Sequence, residues 1–178
     1  PNTLSLFLTD PAARQVQAFK PGSNFDYCNL GFEILGHLIE KADGRPWPQA
    51  IAGRIFAPLG MSSSHASITM AIREKLAVSY KPHDESGVYP RRGRLAPVSG
   101  FVFENAAGSV ASTPADMARY LRMLLNRGAA PQGRIISEES FALFSKPYIK
   151  APEFSPTASY GYGVAVDQLD GHTILRHT

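Results

Sequence analysis

The chain has 178 residues, 44% of them hydrophobic and 19% charged, with a formal net charge of +3 and a pI near 9.1. A chain of this size buries roughly two-thirds of its unfolded surface, so a folded body is expected. The single cysteine, Cys28, excludes an intramolecular disulfide and any paired-cysteine metal or redox site, and no run of about twenty apolar residues that could cross a bilayer occurs.

In chain order, the first informative stretch is Phe19-Lys20-Pro21-Gly22 followed by Tyr27-Cys28-Asn29. If residues 27–29 are extended, Tyr27 and Asn29 project to one face, into one cleft, and Cys28 to the other. A tyrosine has an ordinary pKa near about 10, so its use as a base needs a neighbouring cation from elsewhere in the chain. Taken alone, Tyr-x-Asn reads better as a half-buried aromatic followed by a helix N-cap than as a catalytic pair.

From Leu30 the apolar set Ile34, Leu35, Leu38, Ile39 and Ala42 repeats at helical spacing and reads as a core stripe, with Gly44 placed to end the helix. Pro46 or Pro48 starts a second helix through Ile51 and Ile55, and Pro58-Leu59-Gly60-Met61 reads as a structural turn. Residues 68–77 are weakly helical. The stretch from Pro82 to Gly100 reads as a long irregular surface excursion, as fit to be a plain variable loop as to border a cleft. It carries the densest basic run, Arg91-Arg92-Gly93-Arg94, which has no interleaved aromatics and argues against nucleic-acid binding.

Thr113, Pro114 and Asp116 have the arrangement of an N-cap, a first helical residue and a capping partner. The helix that follows carries Met117, Tyr120, Leu121, Leu124 and Leu125 on one face and ends at Asn126-Arg127-Gly128. Ser137 caps a shorter helix with Glu138 and Glu139 in its first turn, and Ile136 and Phe141 are its expected hydrophobic staple. Alternation at Tyr162, Val164 and Val166, a turn at Leu169-Asp170-Gly171 and alternation from His172 to His177 predict a hairpin. A lone hairpin is marginal, so these strands expect further strands that residues 1–178 do not contain.

The order of Phe19-x-Pro21-Gly22, Tyr27-x-Asn29, Leu35-Gly36, Asp43-Gly44, Pro58-Leu59-Gly60-Met61, Ala107-Gly108-Ser109, Ser112-Thr113-Pro114-Ala115-Asp116, Tyr160-Gly161-Tyr162-Gly163 and His177-Thr178 resembles the serine β-lactamase and penicillin-binding-protein-like hydrolases, above all the class C and esterase branch. The resemblance implies an α+β, β-lactamase-like fold. Residues 1–150 would be mainly helical and 158–178 a hairpin of an incomplete antiparallel sheet. It also implies attack by a serine on an ester or amide carbonyl through an acyl-enzyme.

By that resemblance Tyr27 relays protons. Asn29 contacts the carbonyl side of the substrate and helps fix the family's lysine. His177, with Thr178 as a substrate contact, stands on the strand where class C β-lactamases have lysine. A histidine carries its charge only partly at neutral pH, which favours esters or peptides over β-lactams as substrates. The implied partner is a small-molecule or peptide acyl substrate, with no cofactor, no metal and, as for many relatives, a place outside the cytoplasm.

Two parts of the family pattern are missing from these residues. No serine is followed three positions later by lysine, and the glycine expected after His177-Thr178 lies beyond the last residue. The chain therefore reads as an internal piece of a longer hydrolase, without nucleophile or oxyanion hole and inactive by itself. Two other readings stay open: a non-catalytic binding or regulatory module of the same fold, and a cysteine hydrolase using Cys28 with one of five scattered histidines. No His-Glu-x-x-His, Gly-x-Ser-x-Gly, GxGxxG or Walker A pattern supports a metal hydrolase, an α/β-hydrolase or a nucleotide fold.

Overall fold

The computed structural model describes residues 19–83, 94–97 and 104–177. Helix α1, Asn29–Asp43, is stopped by Gly44 in the left-handed conformation at φ 76°, whose N–H donates to the Glu40 carbonyl. Asp43, on the last turn, accepts from both Arg45 and Arg54 and ties the helix end to the next element. That element is α2, Trp47–Ile51, with Pro48 in its first turn, and it widens directly into a π-helical turn over Ala52–Phe56. One continuous helix from Pro46 to Ile55 was the expectation. The backbone instead opens by one residue per turn, bringing Phe56 into the core.

Pro58-Leu59-Gly60-Met61 is the expected turn, with Gly60 at φ 66° between the buried Leu59 and Met61. A four-residue helix α3, Met70–Arg73, is all that forms of the weakly helical region. Strands β1, Tyr80–His83, and β2, Arg94–Pro97, pair antiparallel, so the described ends of the predicted irregular excursion are in fact a ladder. Arg91-Arg92-Gly93 lies outside the described residues.

Helix α4, Pro114–Leu125, starts as its sequence predicts, with the Thr113 hydroxyl accepting the Asp116 N–H at 3.3 Å. The Asp116 carboxylate takes partners beyond the helix entrance. It is buried and accepts from Ser63 N–H at 2.8 Å, Ser64 Oγ at 2.9 Å and Arg119 Nη1 at 2.7 Å, locking the 61–66 segment onto the helix entrance. Ser109 complements this lock: fully buried, its hydroxyl lies 2.8 Å from the Ala66 carbonyl, and His65 and Ala111 bridge through their backbones. The first core gathers here, Phe56, Leu59, Met61, Ala66 and Met123 packing with Trp47, Ile55, Tyr120 and Leu124.

Helix α5, Glu138–Phe144, is capped by Ser137, which accepts the Ser140 N–H. It is preceded by a two-residue ladder of β3, Ala129–Ala130, and β4, Gly133–Arg134. A four-stranded antiparallel sheet follows, ordered β5 (Ile149–Lys150), β6 (Ser159–Tyr160), β7 (Ala165–Leu169) and β8 (His172–Arg176). The β7–β8 hairpin turns over Asp170 and Gly171 at φ 50° and 79°, the two left-handed residues that a tight hairpin needs. The first hairpin strand begins at Ala165 rather than Tyr162, because Gly161-Tyr162-Gly163 makes a turn of its own. Asp167 accepts from Ser155 and Thr157 and pairs with Arg176, holding the 151–158 loop on the sheet. A second core of Ala151, Tyr160 and Ala165 takes in Phe25, Tyr27 and Phe154 from outside the sheet.

Two predicted apolar faces are only partly covered. Leu35 and Leu38 of α1 are 52% and 54% exposed, and the helix buries Gly36 instead, against Ala106 and Trp47. Leu121 and Leu125 of α4 are likewise exposed while Met123 is buried. Periodicity marks a face that prefers to leave water, yet of the α4 face only Tyr120 and Leu124 pack on the first core.

Candidate active site

The segment ahead of α1 lies against the sheet. Phe25 packs on Tyr160 of β6 with ring centroids 4.4 Å apart, and Phe154 joins both, 5.5 Å from Tyr160 and 6.1 Å from Phe25. This contact carries Tyr27 to the end of β8. The Tyr27 ring meets His177 edge-on at 5.4 Å, and Phe32, one turn into α1, lies 5.6 Å from Tyr27 and 6.3 Å from His177. A phenol and an imidazole far apart in the described chain are thereby brought into ring contact.

Beside them is a cavity of about 540 Å³, lined by the rings of Phe25, Tyr27, Phe32, Tyr160 and Tyr162 together with Cys28. Cys28 was expected to face away and Asn29 to share the cleft with Tyr27. In the structure Cys28 lines the cavity, and Asn29, exposed, does not. The alternation of an extended strand ends one residue too early for that expectation. Cys28 is extended at φ −140°, ψ 115°, but Asn29 is already the first helical residue, so the N-cap is Cys28 and not Asn29. Thr178 lies outside the described residues.

Tyr160 was quoted in the sequence pattern without a role. It is 8% exposed, and its buried hydroxyl has no hydrogen-bond partner among the described residues. Burial raises its pKa, with Tyr27 and Glu153 adding to the effect, so it keeps its proton at neutral pH. Phe25, Phe32 and Tyr162 were also missed as lining residues. The signal available was their aromatic character within a few positions of the two motifs; the sheet contact that gathers them has no local signature. Among the described residues no group of three or more His, Cys, Asp or Glu side chains is arranged to hold a metal ion.

A helical body set against an antiparallel sheet, with a tyrosine at a helix entrance meeting a histidine at a strand end, defines a β-lactamase-like α+β hydrolase fold. The Beta-lactamase family model matches residues 5–178, and the chain belongs to that family. Penicillin-binding protein 4 of Amycolatopsis lactamdurans is 33% identical over 168 residues, covering 91% of this chain and 42% of its own length. The octameric penicillin-binding protein homologue from Pyrococcus abyssi superposes with a TM-score of 0.77 at 28% identity, over 96% of this chain and 36% of its own. The D-amino acid amidase from Ochrobactrum anthropi SV3, solved with D-phenylalanine, does so with a TM-score of 0.66 at 27% identity, over 89% and 45%. The chain thus spans less than half the length of these relatives.

Proposed function

We propose that the whole protein is a serine acyl hydrolase acting on amides, peptides or esters, and that Tyr27, Asn29 and His177 belong to its active site. The nucleophile of this reading is the serine of a Ser-x-x-Lys motif outside residues 1–178. Its Oγ adds to the carbonyl carbon, and its proton passes through Tyr27 to the leaving nitrogen or oxygen as the carbonyl–leaving-group bond breaks. Water then adds to the acyl-enzyme and restores the serine. In this reading, which for these residues rests on the family resemblance, Asn29 takes the carbonyl side of the substrate although it lies outside the aromatic cavity, and His177 and Thr178 are substrate contacts.

The observation that carries this reading is the 5.4 Å edge-on approach of Tyr27 to His177 beside an aromatic cavity. A histidine at that place, rather than a permanent cation, favours ester, amide or peptide substrates over β-lactams, and the likeness to a D-amino acid amidase points the same way. Residues 1–178 alone are expected to be inactive, since they contain no Ser-x-x-Lys.

The test is acylation of the full-length protein by a fluorophosphonate probe, with and without Tyr27→Phe. A relay contributes about 10²–10⁴-fold, so labelling should slow by at least about 100-fold in the variant. Full-length protein that is folded and never labels would instead be a binding module. Labelling at an unchanged rate in Tyr27→Phe would remove Tyr27 from the chemistry.

A further inference from the structure

The turn Gly161-Tyr162-Gly163 joins β6 to β7 and is pinned on every side. Gly161 N–H donates to the Val164 carbonyl at 2.8 Å, and Tyr162 N–H lies 3.4 Å from the Phe144 carbonyl at the end of α5. A Cβ at residue 161 would come within 2.8 Å of that same Phe144 oxygen and 3.0 Å of the Lys146 oxygen, so only glycine allows this close approach. Gly163 adopts φ 84° and faces Phe32 of α1. The result is a rigid mount for a single side chain, Tyr162, which lines the cavity beside Tyr27 yet is 62% exposed.

Behind Tyr162 a second ring supports it. Tyr148 stacks on Tyr162 with centroids 4.7 Å apart and planes 14° from parallel, and Lys146 Nζ sits 5.2 Å over the Tyr148 ring. The stacked pair holds the outer ring in a set orientation at the cavity edge. The cavity it borders is walled by aromatic rings. Among the described residues Asp26 is the one acidic side chain in its lining, and no lysine, arginine or histidine contributes to it.

Resting on the proposed hydrolase reading, we infer that Tyr162, backed by Tyr148, is a specificity-determining shelf that receives an aromatic or bulky apolar side chain of the acyl donor. The fixed backbone means the ring is in place before substrate arrives, so its contact area adds to binding without an ordering cost. Asp26 at the same wall disfavours donors with an anionic side chain.

The experiment is calorimetric titration of the full-length protein with phenylalanine amide, alanine amide and glutamic acid α-amide, in both configurations, alongside ammonia release from the same amides. Phenylalanine amide of one configuration is expected to bind about tenfold or more tightly than its alanine counterpart, the scale of a filled apolar pocket, and the glutamic acid amide most weakly. Tyr162→Ala should bring the phenylalanine-to-alanine ratio to within about twofold, with any kinetic loss in KM, whereas Tyr162→Phe, which keeps the ring, should preserve it.

Tyr148→Ala should lower the ratio as well and serves if Tyr162→Ala does not fold. A wild-type protein without preference, or a ratio unmoved by Tyr162→Ala and Tyr148→Ala, would overturn the shelf. Selective binding without ammonia release would leave the shelf standing and count against the hydrolase reading; ammonia release without selectivity would do the reverse.

Discussion

Replacing Asp116 by alanine should be among the most destabilising single changes in the helical body. The side chain is 2% exposed and its carboxylate receives three donors: Ser63 N–H, Ser64 Oγ and Arg119 Nη1. Their losses differ. Arg119 is about half exposed and regains water, so its share is at most about 1 kcal/mol. Ser64 Oγ has a second partner in Ser112 Oγ at 2.8 Å and retains it. The Ser63 N–H, on an exposed residue, loses a hydrogen bond to a charged acceptor, which is worth about 1.5–3 kcal/mol. The total is about 3 kcal/mol, or about 6–12 °C in Tm for a protein of this size. Urea unfolding of the wild type, Asp116→Ala, Asp116→Asn and Arg119→Ala would measure it. Asn keeps an acceptor for the serines and should cost about half as much. The reasoning fails if Arg119→Ala costs as much as Asp116→Ala, for the ion pair and not the serine anchor would then be the source of stability.

Three further outcomes are expected. Gly36→Ala gains about 1 kcal/mol of helix propensity but drives its Cβ into that of Ala106, so a net loss of about 1–2 kcal/mol is expected; the double variant with Ala106→Gly should recover part of it, and a stabilised single variant would contradict the packing. Asp43 has its pKa lowered from 3.8 to about 2 by its hydrogen bonds to Arg45 and then Arg54, and Asp167 is lowered by Ser155 and Thr157. A depressed folded-state value gives stability that is present above about pH 4 and lost as pH falls through about 2, so Asp43→Asn should flatten part of the acid limb of the wild-type profile; parallel profiles would refute the assignment. Asp167→Ala should release the 151–158 loop, read as faster amide exchange at Ala158, whose N–H is held by Ser155 Oγ, and unchanged exchange there would show that the loop holds itself.

Much of this molecule was legible in its sequence where the physics is local. Thr113 and Ser137 cap their helices, Gly44 ends α1, and Asp170-Gly171 turns the hairpin, because each acts within four residues of itself. Motif order carried the fold class. Non-local facts were harder to read. That Cys28 and not Asn29 lines the cavity depended on where the helix starts, to within a single residue. The apolar stripe of α1 was real as a pattern, but a pattern does not say what covers it. Strands β5 and β6, two residues each, are too short for alternation to register, and it is β6 that gathers Phe25 and Tyr160 at the site.

Phe25 and Tyr27 reach β6 and His177 across almost the whole described chain. Contacts of such sequence separation form late, because the entropy of closing the intervening chain comes due before they return anything. The hairpin and the capped helices can each flicker into shape alone, but the cleft has no local precursor. Its geometry is therefore a reporter of complete folding: any partly folded species keeps its helices and loses the Tyr27–His177 approach first.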